Sequence, residues 1–227
     1  MLPGMYPLVP GAAAVVPIEK SLTDSETSTT NTDAYSFATQ AIGAADAARY
    51  VVVVATSRGA NATISSATIG GVSASVVAEI TSTQLNCAII IAAVPTGTTA
   101  TIAITWSASQ SNCDISVYRL VGLASATAFD TDTDTSSATA SLSIDCEAGG
   151  CVIAGSAFSN PSNDTQTWSG ITEDTDLYVN DTLTTDHNHS AASQVFLTAQ
   201  TGLSVTCAWG GSAANAQAAV AAAFSPG

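Results

Sequence analysis

The stretch that most constrains the fold is residues 49–77, RYVVVVATSRGANATISSATIGGVSASVV. A run of β-branched residues is followed by a polar loop, an alternating segment, Gly70-Gly71 and a second alternating segment. β-branched runs and strict alternation are typical of strands, and two glycines suit a tight hairpin because positive φ costs glycine little. The stretch therefore predicts strand, loop, strand, turn and strand.

Short strands of the same kind are predicted along the rest of the chain, where helix signals are nearly absent. The segment 214–223, ANAQAAVAAA, has helical propensity, but it is short and follows a Gly-Gly pair, so we predict a closing strand. The expected fold class is all-β, an antiparallel β-sandwich of jelly-roll or Ig-like type.

The strand pattern occurs twice, at an offset of about a hundred residues. YVVVVATS in the first half matches CVIAGSAFS in the second, IGGV matches WSGI, and Trp106 matches Trp209. We therefore predict an internally duplicated sandwich. Two arrangements remain open: one large sandwich, which we favour because no linker separates the halves, or two tandem Ig-like units.

Residues 1–33 differ from the body predicted for residues 34–227. Residues 21–34 are polar and acidic and are predicted to form a connector. Residues 1–20 contain four prolines, which exclude a helix and a central strand. A solvated linker would not need apolar side chains, so we expect an extended arm that binds a neighbouring subunit, or folds back on its own body, through Leu2, Met5, Tyr6, Leu8, Val9, Val15, Val16 and Ile18.

The charge of the chain excludes several classes of partner. The net charge is −14, and Lys and Arg together number only four. A nucleic-acid backbone or an anionic membrane requires a basic surface, so neither is expected as a partner. No apolar run approaches the ~18 residues of a transmembrane helix. The proline-broken N-terminus lacks the early positive charge of a signal peptide.

The five cysteines show no Cys-X-X-Cys spacing, so they do not predict a metal site. Most lie in apolar strand contexts, where a thiol behaves as a small hydrophobic group, and we expect reduced core thiols. Cys146 and Cys151 flank a predicted turn, so a local disulfide between them is the alternative.

Two polar clusters could hold a metal ion. Asp130, Asp132 and Asp134 resemble the start of a calcium loop, but the Gly and Glu that an EF-hand needs further along are absent. Ca²⁺ is therefore an alternative to a solvated hairpin loop. His187 and His189 would point to one face of a strand, as metal ligands can, whereas their polar surroundings favour an exposed loop. We predict neither a metal site nor a cofactor.

No pattern predicts catalysis. There is no Gly-X-Ser-X-Gly elbow, and the best carboxylate candidate is Glu173, near Trp168. Trp168 and Tyr178 could instead form a stacking platform for a glycan. We therefore expect that the protein is not an enzyme.

Several segments resemble a group of tailed-phage virion proteins that is common in marine phages and prophages. The short Leu-Pro-Gly start is also similar to the N-terminal arm of these proteins. None of the matching segments is a catalytic motif, and no functional residue carries over. They lie within residues 35–224 and read YSFATQAIGAADAARYVVVVATSRG, ATISSATIGGVSASVV, ISVYRLVGL, GGCVIAG, TWSGITED and AAVAAAF.

The resemblance implies a β-sandwich subunit of head-decoration, fibre or tail-associated type. The function that we expect is that of a capsid decoration or cement protein on the surface of a phage particle. Its arm would bind the major capsid protein or another virion protein, and self-association is expected. The alternative is a lectin-like receptor- or glycan-binding module of a head or tail fibre.

Overall fold

The computed structural model describes residues 15–159, 165–179, 186–210 and 216–227, which form sixteen strands and no helix. The strands of the first half are β1 (Glu19–Ser28), β2 (Thr32–Ala41), β3 (Arg49–Gly59), β4 (Ile64–Ile69), β5 (Val72–Ser73), β6 (Ser75–Ser82), β7 (Leu85–Ala93) and β8 (Thr99–Val121). Those of the second half are β9 (Asp130–Ser136), β10 (Thr139–Cys146), β11 (Cys151–Ser159), β12 (Gln166–Ser169), β13 (Thr172–Val179), β14 (His187–Val195), β15 (Gln200–Trp209) and β16 (Gln217–Phe224).

The predicted all-β sandwich is confirmed. Residues 49–77 have the expected order of strand, loop, strand, turn and strand. Gly70 and Gly71 form the turn with φ of +61° and +78°, a conformation that other residues rarely adopt. The Ala-rich closing segment is strand β16, as predicted.

The predicted polar connector is wrong, because residues 21–34 belong largely to two strands. β1 pairs antiparallel with the second half of β8, and β2 pairs mainly with its first half. β1 lies at the edge of its sheet, and all its residues are exposed or half-buried. A strand of polar residues is stable in such a position. The sandwich body therefore begins at Glu19.

Each half of the chain forms a sandwich of two sheets. In the first sandwich, β8 belongs to both sheets: its first half pairs with β2 and β4, and its second half with β1 and β3. The second sandwich consists of a three-stranded sheet, β10-β15-β12, and a five-stranded sheet, β13-β14-β11-β16-β9.

The strand pairing confirms the predicted duplication. β3 lies between β7 and the second half of β8, as β11 lies between β14 and β16. β4 pairs with the first half of β8 as β12 pairs with β15, and Ile64 opposite Trp106 corresponds to Gln166 opposite Trp209. The two sandwiches are thus built on one plan.

Three hydrophobic cores hold the molecule together. Two lie inside the individual sandwiches. The third, which we call the seam, joins the sheet that contains β3 to the sheet that contains β11. Sheets covered on both faces favour uninterrupted apolar runs, which is why YVVVV and AAVAAAF do not alternate. Neither arrangement considered from the sequence holds unmodified, because two sandwiches are present but share a buried core.

The closest approach of the two sandwiches is at Gly155 in β11. A Cβ atom at this position would lie 2.2 Å from Cγ1 of Val54 in β3. Thr56 likewise contacts His189, which pairs with Ala157. β3 and β11 therefore run in the same direction across the seam. We call the end at which both strands begin the proximal end, and the end at which both finish the distal end.

Candidate functional site

The histidines that the sequence placed in an exposed loop are buried in the seam. His187 and His189 lie on β14 with no exposed surface, so the predicted loop is wrong. Both imidazole rings face polar side chains of the other sandwich instead of solvent. Asp114 and Ser116 of β8 and Thr56 of β3 meet them there, and these five residues form what we call the seam polar cluster.

Hydrogen bonds across the seam satisfy the imidazole of His189. Its Nδ1 lies 2.8 Å from Oγ1 of Thr56, and its Nε2 lies 2.7 Å from Oγ of Ser116. A neutral imidazole offers one donor and one acceptor, which two hydroxyl groups can match. Burial lowers the pKa of His189 to about 4, while the Asp114 carboxylate opposes this effect and His187 adds to it.

The second histidine pairs with a carboxylate. Nε2 of His187 lies 2.6 Å from Oδ2 of Asp114, and both side chains are fully buried. The cluster therefore contains serine, histidine and aspartate, the residue types of a hydrolase triad. Ser116 contacts one histidine and Asp114 the other, and no member of the cluster has exposed surface for a substrate. The arrangement can fix the two sandwiches in one register across the seam.

A second polar group links the two sandwiches beside the cluster. Asp174 of β13 accepts a hydrogen bond from the Tyr118 hydroxyl at 3.0 Å and from the Ser193 hydroxyl, and its other oxygen lies 3.3 Å from Nζ of Lys20. Burial, followed by the nearby Asp174 charge, raises the pKa of Tyr118 well above its usual value. Lys20, the last residue of the predicted arm, thus links β1 to the second sandwich.

The acidic repeat considered for Ca²⁺ has a different arrangement. Asp130, Asp132 and Asp134 lie on edge strand β9, not in a hairpin loop. Each carboxylate accepts a 2.7 Å hydrogen bond from a backbone N–H of edge strand β10, at residues 145, 143 and 141 in that order. The alternation of Asp with Thr therefore closes one open edge of the second sandwich.

The carboxylates of β9 thus point at separate backbone donors along the strand. Among the residues that the structure describes, no group of three or more His, Cys, Asp or Glu side chains is placed to hold a metal ion. Asp24 of β1 has the same role in the first sandwich: its carboxylate accepts a 2.7 Å hydrogen bond from the backbone N–H of Ala41 in β2.

The glycan platform suggested by Trp168 and Tyr178 is not present as an exposed surface. Trp168 is buried in the core of the second sandwich, and its indole N–H donates to Ser190 at 2.8 Å. Tyr178 is half-buried and donates to the carboxylate of Asp186 at 2.9 Å. Glu173 is exposed on edge strand β13, whereas the Trp168 ring is buried. The two side chains therefore do not form the exposed carboxylate–aromatic pair that the sequence suggested.

All five cysteines are buried and free. Burial raises the pKa of each thiol: Cys146 is raised to about 11, and the other four rise further. A thiol with a raised pKa is a poor nucleophile at neutral pH. The structure therefore has reduced core thiols, and the alternative of a bond between Cys146 and Cys151 is not formed.

The arm residues divide at Val15. Leu2, Met5, Tyr6, Leu8 and Val9 lie outside the described residues. Val15 and Val16 are 53% and 73% exposed, whereas Ile18 is 3% exposed and packs in the seam. Ile18 donates a backbone hydrogen bond to Gly149 at 2.9 Å. The chain is therefore fixed from Ile18 onward and presents apolar side chains immediately before it.

Sequence reasoning missed two arginines that the fold uses. Arg49 is buried at the proximal end, where its guanidinium donates to the carbonyls of Ile42, Gly43, Val94 and Thr96. Arg58 lies at the distal end. The scarcity of basic residues could have indicated both arginines, because only four of the 227 residues are Lys or Arg.

A scan of protein-family models, curated proteins and solved structures found no match to this chain. No helix in the described part of the chain is long and apolar enough to cross a membrane.

The half-buried Asp176 on β13 provides a test of charge burial at the edge of the second sandwich. Burial raises its pKa to about 6, which outweighs the opposing hydrogen bond from the backbone of Gln166. Above that pH, the folded protein bears a carboxylate that the unfolded chain solvates better. Asp176→Asn is therefore expected to raise the melting temperature at pH 8 and to have a smaller effect at pH 4.

The control for this prediction is Asp174→Asn, two residues away on the same strand. Asp174 binds Lys20, so neutralising it removes a favourable contact and should lower the melting temperature at pH 8. Melting followed by circular dichroism at the two pH values measures both effects. A lower melting temperature for Asp176→Asn at pH 8 would contradict the prediction.

Proposed function

We propose that the protein is a structural component of a phage particle, a capsid decoration or cement protein anchored through its N-terminal arm. The observation that carries the proposal is the apolar surface where the arm leaves the body. Val15 and Val16 are exposed there, separated from the fixed residue Ile18 by Pro17 alone. Exposed aliphatic side chains on an arm rich in further apolar residues are suited to binding a partner.

A third exposed aliphatic residue extends this surface. Leu197 is 75% exposed and follows Phe196, whose backbone bonds both Gly149 and Gly150. Gly149 is also the residue that Ile18 binds, so Val15, Val16 and Leu197 gather around one turn at the proximal end. We call these three residues the arm base. The apolar residues of the arm sequence and the apolar arm base together suit attachment to a partner subunit.

The rest of the molecule supports a structural role in two ways. Both histidines of the chain lie in the seam polar cluster, which has no exposed surface. The surface is acidic and rich in Ser and Thr, which keeps such a body soluble when many copies are packed closely. The resemblance of segments within residues 35–224 to tailed-phage virion proteins adds the class of particle. Self-association and attachment to the major capsid protein are part of this proposal.

The position of Ile18 determines how much of the N-terminus a deletion variant can lose without affecting the folded body. Ile18 and β1 belong to the folded body, so the deletion should remove residues 1–16 and leave Pro17 onward intact. We expect the truncated body to stay folded, with a melting temperature close to that of the full chain, and to lose attachment. The measurement is co-sedimentation of each form with particles of the encoding phage assembled without this protein.

A point variant separates the arm base from the rest of the arm. The variant Val15→Ser with Val16→Ser keeps the chain length and all backbone contacts, and it should weaken attachment because it removes exposed aliphatic surface. Val72→Ser with Val76→Ser, which alters two exposed valines of the first sandwich, is the matched control and should attach normally. A folded body without residues 1–16 that still attached to particles would refute the proposal.

A further inference from the structure

A cavity of about 530 Å³ opens at the distal end, where the two sandwiches meet. The first sandwich contributes Arg58 and the turn at residues 82–84, and the second contributes Ser136 and Ser159 among others. Most of the lining side chains carry a hydroxyl or amide group, and no aromatic or large aliphatic side chain lines it within the described residues. Such a lining suits a ligand with many hydroxyl groups and does not suit an apolar one.

Within the described chain, Arg58 makes no ion pair and lines the cavity. Lys20 and Arg119 each contact a carboxylate, and Arg49 is buried against backbone carbonyls. Within the described chain, the guanidinium of Arg58 makes one hydrogen bond, from Nη1 to the backbone carbonyl of Asp186. In a protein of net charge −14, a cation held at a cavity without a bound carboxylate is a candidate for binding an anionic group.

The position of Arg58 is fixed on both sides. Its backbone N–H donates to Oδ1 of Asn112 at 3.0 Å, and the bond to the Asp186 carbonyl holds the guanidinium. Burial lowers the pKa of Arg58, an effect that the nearby Asp186 charge opposes. The group stays charged at neutral pH, because arginine has an unperturbed pKa above 12. A pre-positioned guanidinium loses little side-chain entropy when it binds a carboxylate.

The turn at the cavity is strained. Thr83 and Gln84 have φ of +47° and +71°, the left-handed region that favours glycine or asparagine. A β-branched residue is rare there, and such outliers occur often at ligand sites. Gly70 and Gly71 form the other two-residue hairpin turn of this sandwich without strain. The strained turn presents a hydroxyl and an amide to the cavity where glycines would present neither.

We propose that the distal cavity binds a carboxylate-bearing sugar. Arg58 receives the carboxylate through its planar pair of N–H donors, and the Ser, Thr and Gln side chains receive the ring hydroxyls. A single cation suits one carboxylate and not a polyanion. The cavity lies at the end opposite the arm base, about 30 Å away along β3. The inference therefore stands or fails independently of the attachment proposed above.

The test is binding of the full-length protein to two probes, D-glucuronate and N-acetylneuraminate, measured by titration of amide chemical shifts. D-glucose supplies the hydroxyls without the carboxylate, and acetate supplies the carboxylate without the ring. We expect saturable binding of at least one acidic sugar, with shifts at residues 82–84 and 159. Glucose and acetate are expected to bind at least about tenfold more weakly.

The key variant is Arg58→Gln. Its matched control is Arg119→Gln, which removes one positive charge at the proximal end, far from the cavity. We expect Arg58→Gln to weaken acidic-sugar binding at least about tenfold and Arg119→Gln to leave it unchanged. If Arg58→Gln does not fold, the shift map of the unaltered protein decides. The proposal is overturned if neither acidic sugar saturates, if the shifts lie away from the cavity, if acetate or glucose binds equally well, or if folded Arg58→Gln binds normally.

Discussion

Gly155→Ala is expected to lower the free energy of unfolding by about 3 kcal/mol, the upper part of the range for an overpacked core. The new methyl would lie 2.2 Å from Cγ1 of Val54, well inside van der Waals contact. Neither strand can move aside easily, because β3 and β11 are central strands with pairing partners on both sides. The strain therefore falls on the seam. Urea unfolding of the purified protein measures the change.

Two further variants test whether the contact with Val54 is the cause. Val54→Ala combined with Gly155→Ala places the new methyl in the space that the valine vacates. The double variant should be more stable than Gly155→Ala alone, with a coupling of about 1–2 kcal/mol. Gly210→Ala is the control, because its new methyl would lie 3.6 Å from the nearest atom, the Thr165 carbonyl oxygen. Additive effects of the two seam substitutions would contradict this account of Gly155.

The sequence predicted the fold well where local rules decide it. The Gly70-Gly71 turn, the alternating strands and the doubled strand order all follow from backbone preference and side-chain periodicity. The uninterrupted apolar run of β3 also indicated a strand, but not that both of its faces are covered. That information depends on which sheet lies against which, and so the seam could not be predicted.

The sites were harder to predict, because polarity does not distinguish solvent from a polar partner. His187 and His189 have polar neighbours in sequence, yet the same pattern arises when a strand faces Thr56, Asp114 and Ser116 across the seam. The DTDTDT repeat likewise predicts a loop, because acidic residues are depleted in strands. Its carboxylates are stable there since each meets a backbone N–H of the neighbouring edge.

Acid is expected to destabilise the protein through His189. The folded protein keeps this imidazole neutral down to about pH 4, whereas the unfolded chain protonates it below about pH 6.5. The unfolded chain therefore binds more protons between these values, and the free energy of unfolding falls as the pH decreases through that range. A shift of this size corresponds to a loss of about 3 kcal/mol from this residue.

The variant His189→Gln isolates this contribution from the other titrating groups. A glutamine amide can still donate and accept hydrogen bonds with Thr56 and Ser116, but it does not titrate. The variant should be less stable than the unaltered protein at pH 7.5, and the difference should shrink by about 3 kcal/mol at pH 4. Urea unfolding at both values measures it, and a difference that stays constant would contradict the prediction.

The location of His189 also determines which contact acid weakens first. Its hydrogen-bond partners Thr56 and Ser116 belong to the first sandwich, and the histidine belongs to the second. A protonated ring has two donors and no acceptor, so the hydroxyl that donates to the neutral ring must rotate to accept instead, and the positive charge is buried in the seam. The hydrogen-bonded pair of His187 and Asp114 lies in the same seam. Amide exchange at pH 4 to 5 should therefore rise in β11 and β14 before it rises in β10 and β15, which do not face the seam.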